Sequence, residues 1–232
     1  MLFFDPLYFL VLAPGILLAM WAQFRVQSAF ARAKQIPAQS GYTGAQAAAA
    51  LLRTAGVDGV EIQPVEGFLS DHYVPGQRVL RLSPEVYSGR SLAALGVAAH
   101  ECGHAMQEFT HYPALALRNS LVPLAGIGSN LSWIIIVAGL LLHMAGLIYV
   151  GIAAFALTVV FQLVNLPVEF DASRRARLAL VDSGLVTPEE DVTVGKVLNA
   201  AALTYVAATI TAVLTLLYFL IRAGLLGGRS DD

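Results

Sequence analysis

Four long apolar stretches constrain the fold of this chain more than any other feature of its sequence. A helix needs about 20 residues to cross the hydrocarbon core of a bilayer, and each stretch approaches or exceeds that length. The stretches run from 7 to 24, from 121 to 143, from 145 to 166 and from 198 to 221. Only 13% of the 232 residues are charged, about half the share typical of soluble domains. The sequence therefore predicts a mainly α-helical membrane protein with about four transmembrane helices.

The basic residues predict how the polar segments are placed around the membrane. Arg25, Arg32 and Lys34 follow the first apolar stretch, and three arginines follow the third, whereas the turn after the second stretch has no Lys or Arg. By the positive-inside rule, both polar segments are expected on the cytoplasmic side. The expected order is a transmembrane helix, a cytoplasmic domain, a transmembrane hairpin, a cytoplasmic segment, a fourth transmembrane helix and a tail, at 1–24, 25–120, 121–166, 167–197, 198–222 and 223–232.

The first polar segment has the pattern of a small α+β domain. The predicted elements are a helix at 43–55, a strand at 60–65, a β-hairpin at 71–83 and a helix at 92–109. Thr43 and Gln46 have the spacing of a capping box, and the hairpin turn is predicted at 74–77. Residues 77–82, which include the return strand at 78–82, could offer a free edge to an extended peptide, although an interior strand fits the pattern equally well.

The predicted helix at 92–109 contains the sequence His100-Glu101-Cys102-Gly103-His104, which is an H-E-x-x-H motif. Two histidines four residues apart lie on one face of a helix, so each can offer a ring nitrogen to the same zinc ion. Glu101 lies beside them and can take a proton from a water molecule at the metal. The motif predicts a hydrolytic zinc centre with His100 and His104 as ligands and Glu101 as the general base.

A catalytic zinc ion needs a third protein ligand and one open coordination position. Glu169 is the preferred candidate, because it follows an apolar stretch, where a carboxylate without a partner is costly. An interaction with the dipole of a helix beginning at Pro167 is the alternative explanation for this carboxylate. His111 lies one place beyond the position used by metzincins, and Glu108 lies a further turn along the same rigid helix, so both fit less well.

These residues resemble those of known membrane proteases. The H-E-x-x-H helix, followed by a transmembrane hairpin and Glu169-Phe170-Asp171-Ala172, resembles the gluzincin arrangement of HtpX-type proteases and CAAX prenyl proteases. More closely, the chain resembles the YugP-like family of bacterial neutral zinc metallopeptidases. The matching segments are 69–73, 81–83, 98–107, 169–173 and 201–206. The resemblance implies a zincin-like catalytic domain at 25–120 and a Zn²⁺-dependent peptidase in the bacterial inner membrane, but it implies no particular substrate.

Two supporting roles stay open at this stage. HtpX-type enzymes carry an aspartate four residues after the ligand glutamate, and this chain has Ser173 there, so either Ser173 or Asp171 would orient a ligand histidine. The donor to the oxyanion of the tetrahedral intermediate is predicted to be His72 with Tyr73, because their hairpin precedes the metal-binding helix. The other candidates for this donor are Tyr205 and Arg174.

The predicted function is that of a zinc-dependent membrane metalloendopeptidase, which by analogy would act in membrane protein quality control. Expected partners are membrane-associated peptides or proteins and the lipid bilayer, with the site facing the cytoplasm. The net charge of −2 gives no indication of nucleic-acid binding. Two alternatives are a site-2-type intramembrane protease, disfavoured by the short apolar run at 92–99, and a zinc-binding scaffold without activity, disfavoured by Glu101. The sequence indicates no oligomeric state.

Overall fold

The computed structural model describes residues 5–226, which are mostly helical and include one small sheet. The elements are α1 (Pro6–Lys34), α2 (Gly44–Thr54), β1 (Glu61–Pro64), β2 (His72–Val74), β3 (Val79–Leu82), α3 (Pro84–Tyr87), α4 (Leu92–Phe109), α5 (Pro113–Leu141), α6 (Ala145–Asp182) and α7 (Pro188–Arg222). Residues 1–4 of the predicted first segment and 227–232 of the predicted tail lie outside the described residues.

Among residues 5–226, four helices are long and apolar enough to cross a membrane, as the sequence predicts: α1, α5, α6 and α7. All four continue beyond the apolar stretches, and α5 does so by beginning at Pro113. α1 extends to Lys34, α6 extends to Asp182, and α7 begins at Pro188. A helix can continue past its apolar stretch because its backbone hydrogen bonds are internal, whatever side chains it carries. The side of the membrane on which the polar segments lie stays a prediction.

The chain divides into two compact units. The first contains the described residues up to Trp21, then Leu117–Leu166, and those from Thr204 onward. Its core is formed by apolar side chains of the long helices, including Leu12 and Phe155. The second unit contains Ala22–Ala116 and Pro167–Leu203, and therefore the whole sheet. The boundaries of the six predicted segments stay predictions.

In the second unit, α4 packs against α2 in the centre of the core. Alanines dominate the buried face of α2, including Ala47 and Ala48, so the two helices can pack closely. The predicted capping box at the start of α2 is confirmed: Thr43 Oγ1 accepts from the Gln46 N–H, and Gln46 Oε1 accepts from the Thr43 N–H. The capping box thus determines where α2 begins, and its small buried side chains allow it to pack closely against α4.

The sheet has the strand order β1-β3-β2, with β1 parallel and β2 antiparallel to β3. The predicted hairpin is confirmed, although its turn lies one residue later, at 75–78, with Gly76 and Arg78 at positive φ. The interpretation of 77–82 as a free edge is wrong, because β1 pairs with β3 on the side away from β2. This pairing completes the burial of Leu80 and Leu82, so the interior-strand alternative is correct.

Candidate metal centre

The two histidines of the motif lie one turn apart on α4. Ser91 caps this helix, and its Oγ accepts a hydrogen bond from the Ala94 N–H. The His100 and His104 rings meet edge to face with their centroids 4.9 Å apart. Both rings are partly buried and lie close to Glu169 of α6. The helical spacing inferred from the sequence is therefore present in the fold.

Gly103, between the two histidines, allows α6 to lie directly against α4. A Cβ atom added at Gly103 would lie 2.5 Å from the carbonyl oxygen of Ala172 and 3.0 Å from its Cα atom. Both are backbone atoms, which cannot move aside by a change of rotamer. Glu169 and Ser173 are within one turn of Ala172 on α6. The absence of a side chain at Gly103 thus brings these two residues to the face of α4 that carries the histidines.

His100, His104 and Glu169 bring three potential ligand atoms together. Glu169 Oε2 lies 3.3 Å from His100 Nε2 and 3.6 Å from His104 Nε2, and all three atoms are within 4.8 Å of one another. Tetrahedral zinc with ligands at about 2.0–2.1 Å places those ligands roughly 3.3 Å apart. Two imidazole nitrogens and one carboxylate oxygen also match the ligand set of zinc peptidases such as thermolysin.

The burial of Glu169 supports the presence of a cation. Glu169 is only 3% exposed, and no hydrogen-bond donor among the described residues satisfies its Oε2 atom. Burying a carboxylate oxygen without a partner is costly, whereas a metal ion at this point would satisfy it. The side chains therefore fit a zinc ion, and Glu169, the third ligand predicted from the sequence, lies beside both histidines.

The second ring nitrogen of each histidine contacts a polar side chain. His100 Nδ1 lies 3.1 Å from Ser173 Oγ, and His104 Nδ1 lies 3.1 Å from Gln107 Oε1. Burial lowers the pKa of His104, but the Glu169 and Glu101 carboxylates outweigh it, so this pKa lies above its ordinary value. The contacts of the Nδ1 atoms with Ser173 and Gln107 hold the two histidine rings in a fixed orientation.

Glu101 is buried beside the histidines and is fixed by the hairpin. Its Oε2 atom accepts a hydrogen bond of 2.9 Å from the backbone N–H of Tyr73 in β2. Two turns further along α4, Glu108 accepts from the Tyr73 hydroxyl at 2.8 Å and from the Gly76 N–H at 3.2 Å. Both carboxylates therefore hold the edge of β2 against α4. Glu108 does not belong to the group of potential metal ligands found among residues 5–226.

The predicted oxyanion donors occupy different surroundings. His72 Nδ1 lies 2.7 Å from the backbone oxygen of Ser70, and His72 pairs with Arg81 across the hairpin. Tyr73 is buried, and its hydroxyl is directed at Glu108 rather than toward the histidines. Burial, together with that carboxylate, raises the pKa of Tyr73, so its hydroxyl stays protonated. The structure brings the backbone of Tyr73, but not its hydroxyl, to Glu101.

Two of the remaining candidates have other surroundings. His111 is exposed beyond the end of α4 and does not belong to the group of potential metal ligands found among residues 5–226. Arg174 forms an ion pair with Asp171. Two residues near the histidines, Gly103 and Gln107, were not assigned a role from the sequence. The only local signal for Gln107 is its spacing of three residues from His104, which places both on one helix face.

Comparisons with known proteins agree with this geometry. A family model described as "Putative neutral zinc metallopeptidase" matches residues 8–224. The chain is 44% identical over 215 residues to "Putative membrane protease YugP" of Bacillus subtilis (strain 168), a match that covers 93% of this chain and 95% of that protein. No solved structure matches the chain.

Proposed function

The chain belongs to the family of neutral zinc metallopeptidases, and we propose that it is a membrane metalloendopeptidase of the gluzincin type. The family uses zinc, and His100, His104 and Glu169 form a group that could hold the ion. The observation that carries the proposal is the convergence of these three side chains on one point, at which a buried Glu169 oxygen has no other partner. Glu101 supplies the general base on the same helix.

The chemistry divides between the metal and the side chains. A zinc ion bound at this group supplies Lewis acidity, which polarises a carbonyl group and favours ionisation of a water molecule. Glu101 Oε2 is engaged by the Tyr73 N–H, which leaves Oε1 to accept a proton and to deliver it to the leaving amine. Gln107 and Ser173 hold the two rings through their Nδ1 atoms, so both Nε2 atoms face Glu169.

His72 and Tyr73 are our proposed donors to the developing oxyanion. The contact of His72 Nδ1 with the Ser70 oxygen leaves Nε2, which donates a hydrogen bond when the ring is protonated. The Tyr73 hydroxyl can take this part only after it leaves Glu108, to which it is bonded at 2.8 Å. His72 is therefore the preferred donor of the two.

The proposed substrates are membrane-associated peptides or proteins, cleaved on the cytoplasmic side of the bacterial inner membrane. A relative named as a membrane protease and four apolar helices support the membrane location. The basic residues after the first and third apolar stretches support the cytoplasmic side. α4 is not one of the four candidate membrane spans. This favours a cytoplasmic site over an intramembrane site of the site-2 type. A role in protein quality control extends the proposal by analogy.

The test compares the zinc-loaded wild type with Glu101→Gln, in detergent, for cleavage of an unfolded model protein. The amide keeps the shape of the carboxylate but cannot accept the proton, so cleavage should be lost while zinc stays bound. Glu61→Gln, an exposed position on β1, is the matched control and should cleave like the wild type. Equal cleavage by Glu101→Gln and the wild type would overturn the proposed mechanism.

A further inference from the structure

Gln107 is a polar side chain in the interior of the second unit. The residue is fully buried, at 0% exposure, and belongs to α4 three residues after His104. Buried polar groups need hydrogen-bond partners, and both ends of this amide have them. Nε2 donates to the Val168 backbone oxygen at 2.8 Å and to Asp171 Oδ2 at 3.0 Å, while Oε1 lies 3.1 Å from His104 Nδ1.

These partners determine which way the amide faces. The Val168 carbonyl and the Asp171 carboxylate can only accept hydrogen bonds, so they require the NH₂ end of Gln107. A flipped amide would place its oxygen against two other oxygens. Oε1 therefore faces His104, and only a protonated Nδ1 forms a hydrogen bond with it. His104 is thereby held in the tautomer that carries a lone pair on Nε2, the atom that lies 3.6 Å from Glu169 Oε2.

Asp171 is itself fixed in place. Arg175 Nε donates to its Oδ2 atom at 2.6 Å, and Arg174 forms an ion pair with its Oδ1 atom. The Arg175 guanidinium also donates to Thr110 Oγ1 at the end of α4. Asp171 thus acts as a stationary acceptor for Gln107, although it follows Glu169 by only two residues and has no contact with the histidines.

His100 and His104 differ in whether a neighbouring side chain fixes their tautomer. The partner of His100 Nδ1 is the hydroxyl of Ser173, which can donate as well as accept. That contact orients the ring without selecting a tautomer. Gln107, locked by its other two partners, selects one. Of these two histidines, only His104 has its tautomer set by a contact to its Nδ1 atom.

We infer that Gln107, held by Asp171, is a positioning residue that fixes both the orientation and the tautomer of His104 for metal binding. The inference rests on the proposed role of His104 as a zinc ligand. Losing a partner of this kind typically weakens metal affinity by about 10–100-fold. The same loss is expected for Gln107→Met, which keeps the length of the side chain but accepts no hydrogen bond from Nδ1 of comparable strength.

The experiment measures the zinc dissociation constant of the full chain in detergent, by competition with a chelator. Gln107→Met should bind zinc about 10–100-fold more weakly than the wild type. Leu95→Met, at a fully buried position of α4 five residues before His100, controls for repacking and should bind zinc like the wild type. Asp171→Ala should weaken binding in the wild-type background and have little further effect in Gln107→Met, because Asp171 acts through Gln107.

A second measurement does not depend on any variant folding. Nitrogen NMR of the metal-free wild type, with labelled histidine, should show His104 as the Nδ1–H tautomer at a pH where the ring is neutral. An Nε2–H tautomer, or a wild-type affinity retained by Gln107→Met, would overturn the inference and leave the proposed function intact. Failure of the wild type to bind zinc would instead overturn the proposed metal centre.

Discussion

Replacing Gly103 by alanine should separate the two helices that form the candidate metal centre. The added Cβ atom would lie 2.5 Å from the Ala172 carbonyl oxygen, whereas ordinary contacts begin at 3.4 Å. The shortfall is about 0.9 Å, and the obstructing atoms belong to the backbone of α6. Relief therefore requires a shift of α6 as a whole, which carries Glu169 away from His100 and His104.

Gly103→Ala should lower the free energy of unfolding only slightly. Alanine is favoured over glycine inside a helix by about 1 kcal/mol, which partly offsets the cost of overpacking, typically 1–3 kcal/mol. The free energy of unfolding should therefore fall by roughly 0–2 kcal/mol. The effect on the site should be larger, because a misplacement of about 1 Å can reduce activity about a hundredfold.

The assay combines a zinc titration, peptide cleavage and thermal unfolding in detergent. Gly126→Ala is the matched control, because a Cβ atom at that helical glycine of α5 meets no atom within 4 Å. The control should behave like the wild type in all three measurements. Gly103→Ala should stay folded with weakened zinc binding and cleavage. Wild-type affinity and activity in Gly103→Ala would refute the argument that close packing of α4 and α6 positions Glu169.

Three further predictions concern the ligands and the hairpin. Glu169→Ala should abolish tight zinc binding in a chelator competition, since it removes one of the three proposed ligands; unchanged affinity would exclude Glu169 as a ligand. Tyr73→Phe leaves a Glu108 oxygen without its donor and should lower the free energy of unfolding by about 1–3 kcal/mol in chemical denaturation, and a stability equal to the wild type would contradict this. Zinc affinity should be greatest at alkaline pH and fall as the pH decreases through the raised pKa of His104, because the protonated ring cannot bind the metal. Titrations from about pH 8 to pH 5 would test the sign, and an affinity independent of pH would contradict it.

The elements that could be predicted from the sequence are those with local signals. The capping box of α2, the hairpin and the H-E-x-x-H helix each depend on residues a few positions apart. The parallel pairing of β1 with β3 could not be predicted in the same way, because it joins strands that are not adjacent in the chain. A short alternating pattern such as that of 77–82 is the same for an edge strand and an interior strand.

In the candidate site, too, only residues with a local sequence signal could be predicted. Glu169 could be predicted because an isolated carboxylate beside an apolar stretch needs a partner. Gln107 could not, because a glutamine is an ordinary helical residue and its contact with Asp171 joins positions 64 residues apart. Gly103 is likewise visible in the motif, but its contact with Ala172 depends on where α6 packs.

Glu101 and Glu108 both accept hydrogen bonds from the strand β2 or the turn after it. At Tyr73, the backbone N–H can therefore bind either Glu101 or an incoming peptide, but not both. A peptide that extended the sheet at β2 would need the Tyr73 N–H, the same donor that anchors Glu101. A single N–H cannot serve two acceptors at full strength. Strand addition there would therefore release Glu101, the proposed general base, when a substrate binds. If Glu101 stayed bonded to Tyr73, the peptide backbone would have to be recognised elsewhere.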